Sequence, residues 1–202
     1  MRTTITALTL AGLLALGTQA AGQDDTAPAP AQTPEVPDLT GALDLGEPVG
    51  PRVGEIYVAD NHGDWEVRCI RAPEGQDDRC NLYQLLTNQE DAPVAEFNLF
   101  RLPESGQVAA GANIVVPLET LLTQQLTLSV DSGEPRRYPF SFCNSAGCVA
   151  RIGLTQAEVA AFKGGATATL RLVPAAAPDE EFLLTMSLAG FTAGYDSLTP
   201  VP

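Results

Sequence analysis

Apolar and polar side chains alternate along most of the chain from Asn61 onward, with the period of two that is typical of half-buried β-strands. Trp65, Val67 and Cys69 are the clearest case, because charged residues stand between them. Further strands are predicted at residues 95–99, 114–116, 126–130, 138–142, 149–154, 168–173 and 182–188. Turn-forming residues separate several of these segments, as in the DSGE stretch at 131–134.

The spacing of these strands predicts the fold class. Short strands with a turn about every ten residues favour an all-β fold, either an antiparallel β-sandwich or a barrel-like domain. One short helix is expected after the strand at 149–154, because Thr155 and Glu158 have the spacing of a capping box. The helix is expected to end at Gly164 and Gly165, in the left-handed conformation that glycine permits.

The N-terminal part of the chain predicts export. Residues 1–20 combine Arg2, an apolar segment and small residues before the cleavage point, as a Sec-type signal peptide does. The apolar segment is shorter than the roughly 20 residues of a bilayer-spanning helix, so no transmembrane segment is predicted in the mature chain. Residues 21–45 are rich in proline, alanine and acidic side chains and are predicted to be a disordered linker. The folded domain is therefore expected at residues 46–202, in the periplasm or secreted.

The charge of the chain disfavours one class of partner. It carries 25 acidic residues against 11 lysines and arginines, a formal net charge of −14. Proteins that bind nucleic acid or anionic lipid select lysine and arginine patches instead. We therefore predict no nucleic-acid partner, and the acidity is expected to serve solubility or to steer a basic partner.

The predicted site residues are the four cysteines, Cys69, Cys80, Cys143 and Cys148. An even number of cysteines in an exported chain favours disulfide bonds, and four cysteines allow three pairings. The spacing favours Cys69 with Cys80 and Cys143 with Cys148, because the residues between the members of each pair can turn the chain back. The domain is therefore expected to be stapled by disulfides.

The stretch YPFSFCNSAGCVAR, residues 138–151, admits three interpretations: a redox site, half of a metal site or a stapled hairpin. The cysteine spacings do not match the usual ligand spacing of a zinc site. A catalytic dithiol normally has two residues between its cysteines and lies at a helix N-terminus. The stapled hairpin is favoured, and in it Tyr138, Phe140 and Phe142 are expected to face the core.

No set of residues predicts catalysis. His62 is the only histidine, and a lone histidine beside Asn, Gly and Asp is more often a surface turn residue than a base or ligand. No serine lies in a nucleophile motif, and the chain contains no EF-hand or phosphate-binding glycine motif. The Arg136-Arg137 doublet favours a solvated hairpin edge over an anion site. No catalytic residue, cofactor or metal is therefore predicted.

Five motifs, taken in order, resemble a known family: HGDWEVRC, CNLYQLL, NIVVPLETLL, YPFSFCNSAGCVARIGLTQAEVAAF and SLAGFTAGYDSL. Together they resemble the invasion-associated locus B family over residues 46–198. The chain departs from the family pattern at Glu119 and Gln125, where many members carry glycine. The resemblance implies an exported all-β domain without known catalytic residues or cofactor, in a family named for host-cell invasion by a pathogenic member.

These observations favour a non-enzymatic binding module of the cell envelope or periplasm. Its partner would be an unknown protein or glycan in the envelope or outside the cell. The alternative is a periplasmic redox protein or other enzyme that uses Cys143 and Cys148. A direct contribution to host-cell invasion is a third hypothesis, which the family name suggests and the residues do not distinguish from an envelope function.

Overall fold

The computed structural model describes residues 44–47, 49–88, 90, 92–103 and 106–201. The predicted signal peptide and nearly all of the predicted linker lie outside these residues. The chain divides into two units, Met1–Glu47 and Pro48–Pro202. In the first unit, the described residues 44–47 are exposed.

The described part of the second unit contains eleven β-strands and two α-helices. In chain order they are β1 (Ile56–His62), β2 (Trp65–Ile70), β3 (Arg79–Thr87), β4 (Pro93–Arg101), β5 (Val108–Val116), β6 (Leu126–Val130), β7 (Arg136–Tyr138), β8 (Phe140–Asn144), β9 (Gly147–Thr155), α1 (Gln156–Gly164), β10 (Thr167–Leu172), β11 (Phe182–Ser187) and α2 (Phe191–Ser197).

The strands form two antiparallel sheets that pack into one core. The large sheet has seven strands in the order β1-β2-β3-β4-β5-β9-β8, and the small sheet has four in the order β11-β10-β6-β7. Apolar side chains from both sheets and both helices belong to a single buried cluster. The sheets do not close into a barrel, so the predicted all-β, disulfide-stapled sandwich is confirmed.

Trp65 lies at the centre of this core and is fully buried. Its ring makes edge-to-face contacts with Phe97 of β4 and Phe191 of α2, at centroid distances of 5.8 and 5.3 Å. Phe162 of α1 packs on both phenylalanines. Large aromatic side chains bury much apolar area, so this cluster holds both helices against the large sheet.

Helix α1 begins as predicted and ends differently. The Thr155 hydroxyl accepts a hydrogen bond from the Glu158 amide, and the Glu158 carboxylate accepts one from the Thr155 amide, which completes the capping box. Gly165 is extended (φ −82°) instead of left-handed, so that prediction is wrong. A Cβ on Gly165 would approach Val130 within 2.6 Å, so this glycine permits close packing of the helix end on β6.

The sequence predicted one helix, and the structure adds α2. Its sequence FTAGYDS contains glycine, threonine and aspartate, which have low helix propensity, so no periodic signal marks it. Tertiary packing stabilises it instead, because Phe191 and Tyr195 are buried. Gly194 faces Leu82 of β3 so closely that a Cβ would lie 2.5 Å from the leucine methyl carbon.

The predicted strand at 138–142 is two strands in different sheets. Tyr138 ends β7 of the small sheet, and Phe140 begins β8 of the large sheet. Pro139 lies between them, and its missing N–H interrupts the ladder. A register shift between Phe140 and Phe142 follows. Phe142 is therefore 42% exposed, and the prediction that it faces the core is wrong.

Candidate functional site

The predicted cysteine pairs meet in the structure. Cys143 is bonded to Cys148, and the turn between them pairs Asn144 with Gly147. The Asn144 side-chain oxygen accepts a hydrogen bond from the amide of Ala146 at 2.9 Å, which stabilises the turn. The arrangement is a stapled hairpin between β8 and β9.

Replacing Cys143 by serine is expected to lower the free energy of unfolding by about 2 kcal/mol, because opening so short a loop releases limited chain entropy. Urea denaturation of the variant and of wild type measures the difference. The double variant Cys143→Ser/Cys148→Ser, which leaves no free thiol, should lose a similar amount. Non-reducing peptide mapping that joined Cys69 to Cys143 or Cys148 would contradict the pairing.

Cys69 is bonded to Cys80, and the loop that this disulfide closes is organised by Asp78. The Asp78 carboxylate accepts hydrogen bonds from the Ala72 amide at 2.7 Å and from the Tyr57 hydroxyl, and it pairs with Arg71 at 2.8 Å. The backbone hydrogen bond from Ala72, followed by that from Tyr57, lowers the pKa of Asp78. Asp78 therefore has a structural role that its position in an acidic loop did not indicate.

His62 ends strand β1 instead of lying in a loop. Its side chain is 21% exposed, and Nε2 lies 3.3 Å from the Asp60 carboxylate. The turn that follows it contacts the residues that precede α2, where the Asp64 amide donates to the carbonyl of Ala189 at 3.1 Å. Gly63 and Gly190 meet at this contact, both with positive φ. His62 thus lies at a packed junction between a turn and a helix.

A buried glutamine connects the same turn to the end of β11. Gln84 Nε2 donates to the carbonyl oxygens of Asp64 and Ser187 at 3.1 and 3.0 Å. Its Oε1 accepts from the Ser187 amide at 3.0 Å. Trp65 Nε1 donates to the same Ser187 carbonyl at 3.0 Å. Because these buried polar groups have hydrogen-bond partners, they hold the turn after β1, strand β3 and the end of β11 in one arrangement.

A groove lies between β7 and α1, and we call it the β7–α1 groove. It has a volume of about 530 Å³ and an apolar floor that includes Leu128, Leu154 and Phe162. Its polar lining includes Arg136, Tyr138 and Glu158, which interact with one another. Glu158 pairs with Arg136 at 3.1 Å and accepts a hydrogen bond from the Tyr138 hydroxyl at 3.4 Å.

The environment of Glu158 shifts its titration. Burial raises the pKa of Glu158, but hydrogen bonds from the backbone and hydroxyl of Thr155 and the charge of Arg136 outweigh it. The pKa of Glu158 therefore lies below its ordinary value. Burial and the nearby Glu158 charge raise the pKa of Tyr138. Glu158 is thus an ionised helix cap.

Acidification is expected to destabilise the domain partly through Glu158. The unfolded carboxyl takes up its proton first, so stability falls as the pH drops from the ordinary carboxyl pKa through the lowered pKa of the folded state. Glu158→Gln keeps a capping-box side chain but cannot titrate. Denaturation from neutral to acid pH should therefore show a smaller loss in the variant than in wild type, and equal losses would contradict the assignment.

A second groove lies on the outer face, the face of the large sheet turned away from the core. One row of side chains crosses five adjacent strands of this face through directly paired residues. The row runs Glu66, Tyr83, Asn98, Asn113 and Arg151. Paired residues on neighbouring strands lie about 5 Å apart, so these side chains form a continuous row. Within this row Tyr83 is buried beneath the Arg68 guanidinium, and the other four side chains are partly or fully exposed.

The outer-face groove has a volume of about 400 Å³ and is lined by Asn81, Asn98, Phe100, Asn113, Val115, Phe142, Val149 and Arg151. Asn81 donates to the Asn98 side-chain oxygen at 3.2 Å. Within the described residues, the Asn113 amide has no hydrogen-bond partner, and it is partly exposed. The Arg151 guanidinium lies 5.1 Å from the Phe142 ring centroid.

The two grooves differ in what they offer a ligand. In the β7–α1 groove, the carboxylate of Glu158 is committed to the helix cap and to Arg136. In the outer-face groove, the amide of Asn113 and the guanidinium of Arg151 face solvent without a hydrogen-bond or ion-pair partner in the described part of the chain. The outer-face groove is therefore the candidate functional site.

The sequence indicates that these polar side chains point outward, but it does not show that they lie side by side. Asn81 and Asn98 each stand between apolar residues of a strand, which indicates an outward side chain. The row becomes visible only with the strand register, which depends on long-range pairing. The strand β5, which carries Asn113, begins at Val108, earlier than predicted, because its small residues have low β-propensity. Gly111 of β5 lies beneath the Phe100 ring, where a Cβ would overlap it.

The described residues contain neither a cluster of metal ligands nor a helix that could span a membrane. No three His, Cys, Asp or Glu side chains come together there as a metal site would require. None of the helices in that part of the chain has the length and apolar character needed to cross a membrane.

Comparison with known proteins identifies the family. The family model "Invasion associated locus B (IalB) protein" matches residues 65–199. The fold is similar to that of invasion associated protein b from Bartonella henselae, at 25% identity and a TM-score of 0.57, over 68% of this chain and 92% of that chain. No curated protein sequence matches the chain. The resemblance inferred from the five motifs is confirmed, and the chain belongs to the invasion-associated locus B family.

Proposed function

We propose that this chain is an exported, non-enzymatic binding module whose ligand contacts the outer face of the large sheet. The observation that carries the proposal is the outer-face groove, where Asn113 and Arg151 present polar groups to solvent. Both disulfides support export to an oxidising compartment, the periplasm or the cell exterior. On this proposal residues 1–20 are a signal peptide, and residues 21–45 tether the domain at 46–202.

A site-specific crosslinking experiment tests the surface. A photo-reactive amino acid replaces Asn113 in one variant and Arg137, an exposed residue of the small sheet, in the other. Both variants are expressed in the source bacterium and irradiated in intact cells. The Asn113 variant is expected to give a discrete adduct that excess purified wild-type domain competes away. Identical adducts from both positions, or no adduct at Asn113, would overturn the proposal.

The redox alternative rests on the exposure of Cys143, since an accessible disulfide can exchange with thiols. In the structure, every cysteine of the described residues is disulfide-bonded. Thiol titration of the native protein, taken from cells under acid quench, tests the alternative. A fully oxidised pair that does not exchange with a dithiol substrate would exclude it.

A contribution to host-cell invasion is a separate proposal. The family name and the name of the Bartonella henselae protein support it. A deletion strain that loses host-cell entry while its envelope integrity is unchanged would favour direct action. A strain with a weakened envelope would favour an envelope function.

A further inference from the structure

We propose that the outer-face groove binds an oligosaccharide that carries a carboxylated sugar. This inference rests on the proposed function, because it names the ligand class of the same surface. Three features of the groove carry it: an exposed aromatic ring, a row of side-chain amides and an arginine without acidic neighbours in the lining.

The aromatic feature is Phe142. Its side chain is 42% exposed although it belongs to a strand, because the register shift in β8 places it on the outer face. Phe100 lies in the same groove and rests on Gly111. The apolar C–H face of a sugar ring packs on aromatic side chains of this kind, which are the usual apolar elements of ligand sites.

The amide feature is the row of asparagines. Asn98 and Asn113 are directly paired on β4 and β5, and Asn81 bonds to Asn98 from β3. A side-chain amide both donates and accepts hydrogen bonds, as a sugar hydroxyl does. Amides on adjacent strands, about 5 Å apart, can therefore bond to hydroxyls of successive positions on one oligosaccharide.

The charge feature is Arg151. The chain carries 25 acidic residues, yet no acidic side chain lines this groove and Arg151 is its single charged residue. Arg151 contacts the Phe142 ring and forms no ion pair within the described residues. A guanidinium binds carboxylate with two parallel hydrogen bonds, so the groove complements a carboxylated ligand.

The size of the groove favours a glycan over a protein. Its volume of about 400 Å³ lies in the range of sites for small ligands, about 300–1,000 Å³. A stable protein interface needs roughly 800 Å² from each partner, with a well-packed apolar centre. The groove has eight lining residues, far fewer than the roughly 20–30 residues that each partner contributes to such an interface.

Isothermal titration calorimetry of the purified domain tests the proposal with two probes, oligogalacturonate and a hyaluronan tetrasaccharide. The carboxyl-reduced form of each probe is a neutral control of the same size. At least one carboxylated probe is expected to bind, and its reduced form to bind at least about tenfold more weakly, the loss expected from one charge-assisted hydrogen bond.

Substitutions inside and outside the groove test whether the carboxylated probe binds there. Arg151→Gln is expected to weaken binding of the carboxylated probe about tenfold, and Asn113→Ala roughly threefold or more. Arg137→Gln removes an exposed arginine from the small sheet and should leave binding unchanged. Thermal unfolding of each variant checks that the fold is retained.

The proposal is overturned if neither probe binds, if the reduced probes bind equally well, or if Arg137→Gln weakens binding as much as Arg151→Gln. Its failure is distinguishable from failure of the proposed function. A competed protein adduct at Asn113 in cells, with no oligosaccharide binding in calorimetry, would retain the outer face as a binding surface and replace the glycan by a protein partner.

Discussion

Replacing Gly190 by alanine is expected to lower the free energy of unfolding by roughly 3 kcal/mol or more. Gly190 precedes α2 with φ +90°, a conformation that alanine rarely adopts. The added Cβ would also overlap the carbonyl oxygen of His62 and approach the amide of Gly63 within 2.8 Å. Both obstacles are backbone atoms of a packed turn, so the turn and the helix would have to separate.

Urea denaturation monitored by circular dichroism measures this effect. Gly164→Ala is the matched control, because a Cβ at Gly164 meets nothing within 4 Å and the residue ends a helix. Alanine is a better helix former than glycine, so the control is expected to be neutral or stabilising by up to about 1 kcal/mol. Equal stabilities of the Gly190 variant and wild type would contradict the close contact of the two glycines.

The second large effect is expected at Trp65. Trp65→Ala should lower the free energy of unfolding by about 3–5 kcal/mol, because it leaves a large cavity in a fully buried site. The loss includes the edge-to-face contacts with Phe97 and Phe191. It also removes the hydrogen bond to the Ser187 carbonyl, although Gln84 still donates to that oxygen.

Trp65→Phe separates these contributions. Phenylalanine keeps an aromatic ring in the cluster but loses volume and the N–H donor, so a smaller loss than for alanine is expected. Circular dichroism is the suitable probe, because Trp65 is the single tryptophan and its fluorescence disappears with the substitution. If the alanine variant lost no more than about 1 kcal/mol, the tryptophan would not be the centre of the core.

The sequence predicted the strands wherever alternation was regular. Trp65, Val67 and Cys69 are buried while their neighbours are partly exposed, because a strand places successive side chains on opposite faces. The prediction failed at 138–142, where Pro139 moves the chain from one sheet to the other. It also missed α2, which depends on burial of Phe191 and not on helix propensity.

The candidate site could not be predicted from the sequence, because the sequence pattern does not give the register between strands. The asparagines are outward residues by pattern, but their alignment follows from the pairing of β3, β4 and β5. Three of the family motifs, GDW, CNLYQLL and SLAGF, are likewise far apart in the chain. Each contributes one residue, Asp64, Gln84 and Ser187 respectively, and these residues are joined by hydrogen bonds. These three motifs therefore meet at a structural junction, while Asn81, Asn113 and Arg151 of the candidate surface also fall within the family motifs.

The two disulfides have a consequence for how this surface matures. Each joins residues that are directly paired in the ladder, Cys69 with Cys80 and Cys143 with Cys148. Each bond therefore fixes the register of its strand pair, at opposite sides of the large sheet. A slip of one residue would turn Tyr83 inward and Leu82 outward. Before the two disulfides form, the alignment of the outer face depends on hydrogen bonding and packing alone. Once both have formed, the register of these two strand pairs is also fixed covalently.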